Sequence, residues 1–425
     1  MVRLLPLSST GAFQSDRRRH FNGHIAGSCS PRGHVPGIGG FSVHRRIWLL
    51  GLALSLVSGP ASAAISIPSN QWVKQSSPSV AKLAGFTGVF QARGWNHMLY
   101  DPVGRRMVLY DGYLDGTRPY SIYANAIWTY EPVGNRLSLQ KVSNWARLNG
   151  KTAALAANAT DPTPFDRHSY SCVAVVPEKN RLYMWGGANS SVGNDYIGDT
   201  WTFDFVTRKW RQIPTPTHPF NIFEQTMTYD PTTNRLVLFG GASRAYGDGD
   251  AAWLFNLETE TWEAMPATGA ATQRMSQSMV YDPIRRVSWV FGGGAYPNPG
   301  NELWSFNAST RAWRRVTPSG AVPAPRRFGA MAYDSRHDVV MLWGGIFDDN
   351  SRYNDTWIFR PTTQQWVQLS PAASPPSPTL NAEDLAYDPE NDVFVLHQDG
   401  DFWLFRYAPT GDGQSPSDVG DLRMR

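Results

Sequence analysis

The sequence predicts an all-β chain in which six copies of a four-stranded unit close into a ring, and three observations predict it. Apolar runs end in glycine pairs at Gly186 and Gly187, Gly240 and Gly241, Gly292 and Gly293, and Gly344 and Gly345, and the last three pairs fall 52 residues apart. Each pair is followed by two tryptophans nine residues apart: Trp201 and Trp210, Trp253 and Trp262, Trp304 and Trp313, Trp357 and Trp366. The last copy lacks its final strand, and a segment of that type stands instead at the front of the repeat region, around Trp72. A period of this length holds four short strands with their turns.

The first strand of each copy is a short apolar piece: HMLYD from 97, SCVAVV from 171, TMTYD from 226, SMVYD from 278, AMAYD from 330 and DLAYD from 384. Such β-branched and aromatic runs, bounded by turn residues, read as strands. The turns that follow, DPVG, PEKN, DPTT and DPEN among them, use proline to preset the backbone. The second strand runs up to the glycine pair, where positive φ and a close backbone approach are cheap. The third strand carries Trp128, Trp201, Trp253, Trp304, Trp357 or Trp403, and the fourth carries Trp210, Trp262, Trp313 or Trp366.

The end copies depart from this pattern. In the first, Asp111 and Gly112 replace the glycine pair and Leu137 takes the fourth-strand Trp place; the last stops after Phe402 to Phe405. The segment NQWVKQSSP from Asn70 matches the fourth strands KWRQIPTP, AWRRVTPSG and QWVQLSP. It is therefore expected to complete the last copy, with Trp72 in the vacant Trp position. Closing the array removes an otherwise unpaired sheet edge.

These four-stranded units, with a glycine pair after the second strand and spaced aromatics, resemble the kelch-repeat family of β-propellers, of the secreted bacterial or galactose-oxidase-like type. The resemblance spans about Asn70 to Pro409. It implies a six-bladed propeller closed by an N-terminal strand, or seven blades if residues 143–165 conceal a further degenerate unit. Eleven of the seventeen tryptophans occupy the repeated positions, so they are expected to fill the space between twisted sheets. Some copper-radical oxidases of this fold cross-link a Cys to a Tyr; here Cys172 lies inside an apolar strand and is expected to be a small buried hydrophobe.

Ahead of the repeats, residues 1–63 read as a leader with its core at 43–63. Arg45 and Arg46 precede the apolar run Ile47 to Val57, and Ala61, Ser62 and Ala63 form a cleavage pattern. The arginine pair also resembles a twin-arginine export signal. The run is short for a bilayer span, so a secreted or periplasmic protein without a membrane anchor is expected. Residues 64–409 would form the propeller and 410–425 a disordered tail. The formal charge of +4 is concentrated in the leader, whose seven arginines face one acid; the remainder carries 32 basic and 34 acidic side chains. Bulk charge therefore gives no argument for nucleic acid. Cys29 lies in the leader, so no internal disulfide is expected after it is removed.

In a four-stranded meander the connections from strand two to three and from strand four to the next unit share one rim. Here that rim carries the long segments, from Ser76 to Asn96, Asp111 to Ala126, Ser143 to Ser169, Gly186 to Asp199, Gly240 to Ala251 and Gly344 to Asp355. Binding or chemistry is expected there. Arg93, Trp95, Arg167, His168, Arg274, Arg326 and Arg327 precede first strands and are candidate ligand contacts for a carboxylate or sulfate; tying loops together by bonding carbonyls is the alternative role for the arginines. Phe223, Glu224, Glu383 and Asp384 belong to the same rim. His97, His168 and His397 fall in neighbouring units and raise a general base or a metal, although no ligand spacing fixes either. The acidic loops with Asp248 and Asp250, and with Asp348, Asp349, Asn350 and Asp355, offer oxygens to calcium but match no twelve-residue calcium loop.

Two function classes follow. One is a monomeric module binding an extracellular glycan or protein, without cofactor or metal. The other is a carbohydrate-active enzyme, a lyase or a sugar epimerase or mutarotase, with His97, His168, Tyr170 and Arg167 as candidate catalytic residues.

Overall fold

A computed structural model describes residues 65–81, 97–113, 124–142, 145–148, 151–154, 161–165, 167–189, 195–219, 223–243, 247–248, 252–265, 274–294, 298–348, 351–377 and 384–409. All fall in one compact unit, Ala61–Arg425; the other unit, Met1–Pro60, lies outside the described residues, as does the predicted tail.

Six antiparallel sheets follow one another along the chain. Blade 1 is built from His97–Asp101, Arg106–Tyr113, Ala124–Glu131 and Arg136–Val142. Blade 2 uses Val173–Val176, Arg181–Trp185, Thr200–Asp204 and Lys209–Ile213, and blade 3 uses Phe223–Asp230, Arg235–Ser243, Ala252–Asn256 and Thr261–Met265. Blade 4 uses Ser278–Asp282, Val287–Phe291, Leu303–Asn307 and Ala312–Val316, and blade 5 uses Ala330–Asp334, Val339–Trp343, Thr356–Arg360 and Gln365–Leu369. Blade 6 takes Asp384–Asp388, Val393–Gln398 and Asp401–Phe405 from the C-terminal end and Trp72–Lys74 from the N-terminal end. The first strands pack side by side around the axis, blade 6 against blade 1 included, so the ring is closed.

The closing strand reproduces the geometry of an ordinary fourth strand. Trp72 pairs with Phe405, and their rings lie 5.0 Å apart at 51°. Trp262 and Phe255 of blade 3 lie 5.0 Å apart at 52°. Each such Trp also packs on the aromatic that ends the second strand of the preceding blade: Trp262 on Trp185, Trp313 on Phe239, Trp366 on Phe291 and Trp72 on Trp343. Trp262 Nε1 donates to Thr200 Oγ1 at 3.0 Å, and Trp72 Nε1 makes the equivalent bond to Thr356 Oγ1 at 2.9 Å. The vacancy in the last repeat is thus filled from the other end of the repeat region, with one joint's aromatic contact and hydrogen bond intact.

Tight turns join first to second strands on the opposite rim. Their leading aspartates are buried because the carboxylate takes the turn's own amides: Asp282 Oδ1 accepts from Ile284 and Arg285, both at 2.9 Å, and Asp334 Oδ1 accepts from Arg336 at 2.8 Å and His337 at 3.0 Å. Cations clamp these turns across joints. Between blades 4 and 5, Arg285 bridges Asp282 at 3.0 Å and Asp338 at 2.6 Å. Between blades 5 and 6, His337 takes that place, its Nδ1 2.7 Å from Asp334 and 3.7 Å from Asp392.

Some expectations change. The Ser76 to Asn96 connection is not all loop, since Ser79–Ala81 runs parallel to Arg136, Leu137 and Ser138 as a fifth, outermost strand of blade 1. Among the described residues of 143–165 there is no seventh blade; Trp145–Leu148 and Lys151–Ala154 pair as a two-stranded antiparallel sheet. Two more hairpins, Ala188–Asn189 with Asp195–Tyr196 and Ile346–Asp348 with Ser351–Arg352, stand within the predicted loops. In blade 3 the sheet continues through the glycine pair to Ser243, so Phe223 and Glu224 lie in a strand.

Two outcomes follow. Trp72→Ala removes a ring that is 2 % exposed and is expected to destabilise the fold by about 3–5 kcal/mol, whereas Trp72→Phe, keeping most of the packing, costs less; urea unfolding followed by far-ultraviolet dichroism measures both. Burial disfavours the charged form of His337, but the hydrogen bond to Asp334 and the field of Asp392 outweigh it, so its pKa is raised. That stabilisation is complete below the unfolded value of about 6.5 and fades as pH rises through the folded value. His337→Gln is therefore expected to flatten the fall in stability above that pH, as read by melting temperature against pH.

Candidate functional site

The long-loop rim is organised by arginines that face inward. Arg167 Nη1 donates to Gly186 O at 2.9 Å, and both terminal nitrogens reach Asp199, Nη2 at 3.1 Å. Arg326 repeats the arrangement, bonding Gly344 O at 2.8 Å and Asp355 at 2.6 and 2.8 Å, with the Tyr353 ring 4.3 Å away. Each acid also accepts from the third-strand tryptophan, Trp201 or Trp357, at 2.7 Å. Arg274 bonds Gly292 O at 2.9 Å, but Glu302 stands 3.9 Å away, and burial lowers the guanidinium's pKa. All three are 6 % exposed or less.

The same residues lock neighbouring blades through the backbone. Gly241 N donates to Arg274 O and Gly293 N to Arg326 O, each at 2.9 Å, carrying the link from blade 3 to 4 and from blade 4 to 5. A Cβ on Gly292, whose φ is +66°, would come within 2.6 Å of Arg326 O. The glycine pair is needed for the approach as well as the turn.

Of the other predicted site residues, Arg327 is 5 % exposed; its amide bonds Ile346 O and its guanidinium lies 6.0 Å from the Phe328 ring centroid. His168 exchanges backbone bonds with Ala188, and its ring stands edge-on to Tyr170 at 6.1 Å. Tyr170, Glu224, Ser276 and Phe328 all have φ between 50° and 60°; Tyr170 and Ser276 are buried, and Glu224 and Phe328 are half-buried. These four line a cavity of about 30 Å³ at the axis, room for a water-sized group. Arg93, Trp95, Glu383, Asp250, Asp349 and Asn350 lie outside the described residues. A roomier cleft of about 730 Å³ opens on the opposite rim near the closing seam, between Arg105, Glu131, Arg336, Glu390, Asp392 and Arg406. Sequence reasoning, directed at long loops, missed it.

The histidines separate. His97 Nδ1 lies 3.8 Å from Asp384 Oδ1 and His397 Nδ1 lies 3.6 Å from Asp384 Oδ2, while His168 belongs to the Ala188 and Tyr170 environment of blade 2. Burial lowers the pKa of His97, with Asp384 opposing. Cys172 is buried, donates to Gln225 O at 3.2 Å and has its pKa pushed up by burial, as its strand position predicted.

With Arg167 and Arg326 bonded internally, each change to Ala leaves a half-buried carboxylate without its cation and a glycine carbonyl without its guanidinium donor. We expect losses of about 3–5 kcal/mol in chemical denaturation, in place of the unchanged melting that a pure ligand contact would give.

Comparison with known proteins identifies the repeat family. The family model described as KLHDC2/KLHL20/DRC7 Kelch-repeats domain matches residues 103–280 and 169–396. Kelch domain-containing protein 1 of Mus musculus is 24 % identical over 231 residues, covering 47 % of this chain and 54 % of that protein. Rab9 effector protein with kelch motifs of Bos taurus is 27 % identical over 201 residues, 44 % of this chain and 51 % of that one. Kelch domain-containing protein 10 of Xenopus tropicalis is 25 % identical over 199 residues, 43 % and 46 % of the two chains. The matches thus span about half the length of these relatives. Together with the six four-stranded blades, the extent of the family match places this chain in the kelch-repeat family.

Proposed function

We propose that the protein is a binding module that takes a protein partner on its long-loop rim. The observation that carries this reading is the position of the exposed aromatics: among the described residues, the exposed phenylalanines are Phe165 at 43 % and Phe347 at 38 %, and both stand on that rim. Phe165 lies in the connection entering blade 2 and Phe347 in the hairpin Ile346–Asp348 of blade 5. Apolar anchors on a rigid frame are what a protein interface uses. An acidic glycan would need cations facing solvent, whereas Arg167, Arg274 and Arg326 face inward. A lyase on this rim would need a cation and a base opening on one substrate-sized space, and among the described residues there the axial cavity of about 30 Å³ is too small for one. The leader features around Arg45, Arg46 and Ala63 support export, which would put the partner outside the cytoplasm, and the closed ring supports a monomer.

The test pairs Phe165→Ala and Phe347→Ala in one variant and compares it with wild type in affinity capture from the producing cells' surroundings and on immobilised acidic polysaccharides. A protein captured by wild type and weakened at least about tenfold by the double change, with melting unaltered, is the expected result. Retention on polysaccharide, indifferent to both phenylalanines, would replace this reading with glycan binding.

A further inference from the structure

Two pairs of aspartates that face each other across joints of the tight-turn rim are closed by different groups. Between blades 4 and 5, Arg285 lies 3.0 Å from Asp282 and 2.6 Å from Asp338 and bonds both. Between blades 5 and 6, the equivalent place three residues after the turn aspartate holds His337, which reaches Asp334 at 2.7 Å but stands 3.7 Å from Asp392, beyond hydrogen-bond range. A guanidinium presents several donors on a long stem, whereas a single ring nitrogen serves one acceptor at a time. The cation place that Arg285 fills at one joint is thus half filled at the next.

The gap has the dimensions of a metal site. One oxygen of Asp334, one oxygen of Asp392 and a ring nitrogen of His337 all lie within 4.8 Å of one another. With His337 Nδ1 at 2.7 Å from Asp334 Oδ2 and 3.7 Å from Asp392 Oδ1, and the two oxygens no farther apart than that limit, one point lies about 2.4 Å or less from all three atoms. Zinc bonds imidazole nitrogen and carboxylate oxygen at about 2.0–2.2 Å, so shifts of a few tenths of an ångström suffice. The ligands are also oriented from behind. Asp334 Oδ1 accepts the amides of Arg336 and His337, which leaves Oδ2 for the gap, and Asp392 Oδ1 accepts from the Tyr387 hydroxyl at 2.8 Å. Outer hydrogen bonds of this kind fix ligating carboxylates. The His337 ring stands edge-on to Tyr407, with centroids 5.5 Å apart. Asp392 lines the cleft of about 730 Å³, which gives an ion a way in and water a place at the remaining positions. Arg336 and Arg406, 3.4 and 4.0 Å from Asp392 Oδ2, offset part of the negative charge, so the ion is expected to exchange.

From this geometry we infer that Asp334, His337 and Asp392 form a site for one divalent transition-metal ion, of which zinc is the type, joining blade 5 to blade 6. An imidazole beside two carboxylates suits zinc over calcium or magnesium, which take oxygen ligands. On entry the ion displaces the proton held between His337 Nδ1 and Asp334 Oδ2, which passes to solvent, and it bonds both aspartates where the imidazole bonds one. The inference stands apart from the proposed protein partner.

Chelator-treated full-length protein titrated with zinc chloride in a calorimeter, in two buffers of different ionisation enthalpy, tests it. Wild type should take up one equivalent with micromolar affinity, release about one proton, and melt at a higher temperature with zinc than without. Asp392→Asn, nearly isosteric and facing the cleft, should weaken binding by more than about 100-fold, beyond what an outer-shell change produces. His337→Gln should weaken it as much and abolish the proton release, and it covers the case in which Asp392→Asn fails to fold. His218→Gln, which alters a histidine lying against Trp185, is the control and should leave zinc binding intact. Absence of binding below millimolar zinc, calcium binding as tight as that of zinc, or zinc binding and stabilisation that survive both Asp392→Asn and His337→Gln would each overturn the site.

Discussion

A twisted four-stranded sheet has two apolar faces, and six of them stand in a ring only if every face is covered by a neighbour. The core is accordingly divided into clusters that lie between blades. Trp72, Trp343, Phe394 and Phe405 share one cluster across the joint of blades 5 and 6, and Met98, Leu109, Val395 and Phe402 share another across the joint of blades 6 and 1. The strand Trp72–Lys74 belongs to the first of these. Without it Phe405 and Trp343 would both meet solvent, and the outer edge of blade 6 would have free amides and carbonyls.

A second constraint acts at the long-loop rim, where side chains as well as backbone tie each blade. Arg326 serves three elements at once: its carbonyl receives the blade 4 glycine, its guanidinium holds the blade 5 glycine carbonyl, and its ion pair with Asp355 orients Trp357. Four of the five donors of this guanidinium are thus committed inside the fold. The rigidity it gives allows the hairpins beyond it to vary without disturbing the ring, which is why the surface with the most sequence variation between repeats can be the one that recognises a partner.

The repeat made the frame legible. Gly240, Gly292 and Gly344, or Trp253, Trp304 and Trp357, gain their meaning from phase, and phase survives without any knowledge of contacts. The partner of each rim arginine was also written in the sequence, as Asp199, Glu302 and Asp355 two places before the third-strand Trp, whereas blade 3 has Ala251 there and no arginine before its first strand. That signal is easily passed over because arginine and acid are 32 residues apart in blade 2 and 29 in blade 5. The loops carry no phase, so the hairpin from Trp145 and the outer strand from Ser79 gave no comparable sign. The cleft near Arg406 was hidden for another reason: it is assembled from turn residues of blades 1, 5 and 6, each unremarkable in its own repeat.

The repeats also supply an internal control for reading departures. A residue that differs from its five equivalents costs the ring some of the packing that the others provide. Loss of a Trp at Leu137 or an aromatic at His397 would, alone, be ordinary drift in terminal repeats. The substitutes at this one joint include a buried carboxylate, Asp384, with His97 3.8 Å from one of its oxygens and His397 3.6 Å from the other, and a carboxylate is the least suitable filler for an apolar gap. The fold tolerates these polar groups because the adjoining aromatic stack of Tyr130 on Phe402, with rings 3.8 Å apart, keeps the joint packed beside His397, which itself stacks on Phe402.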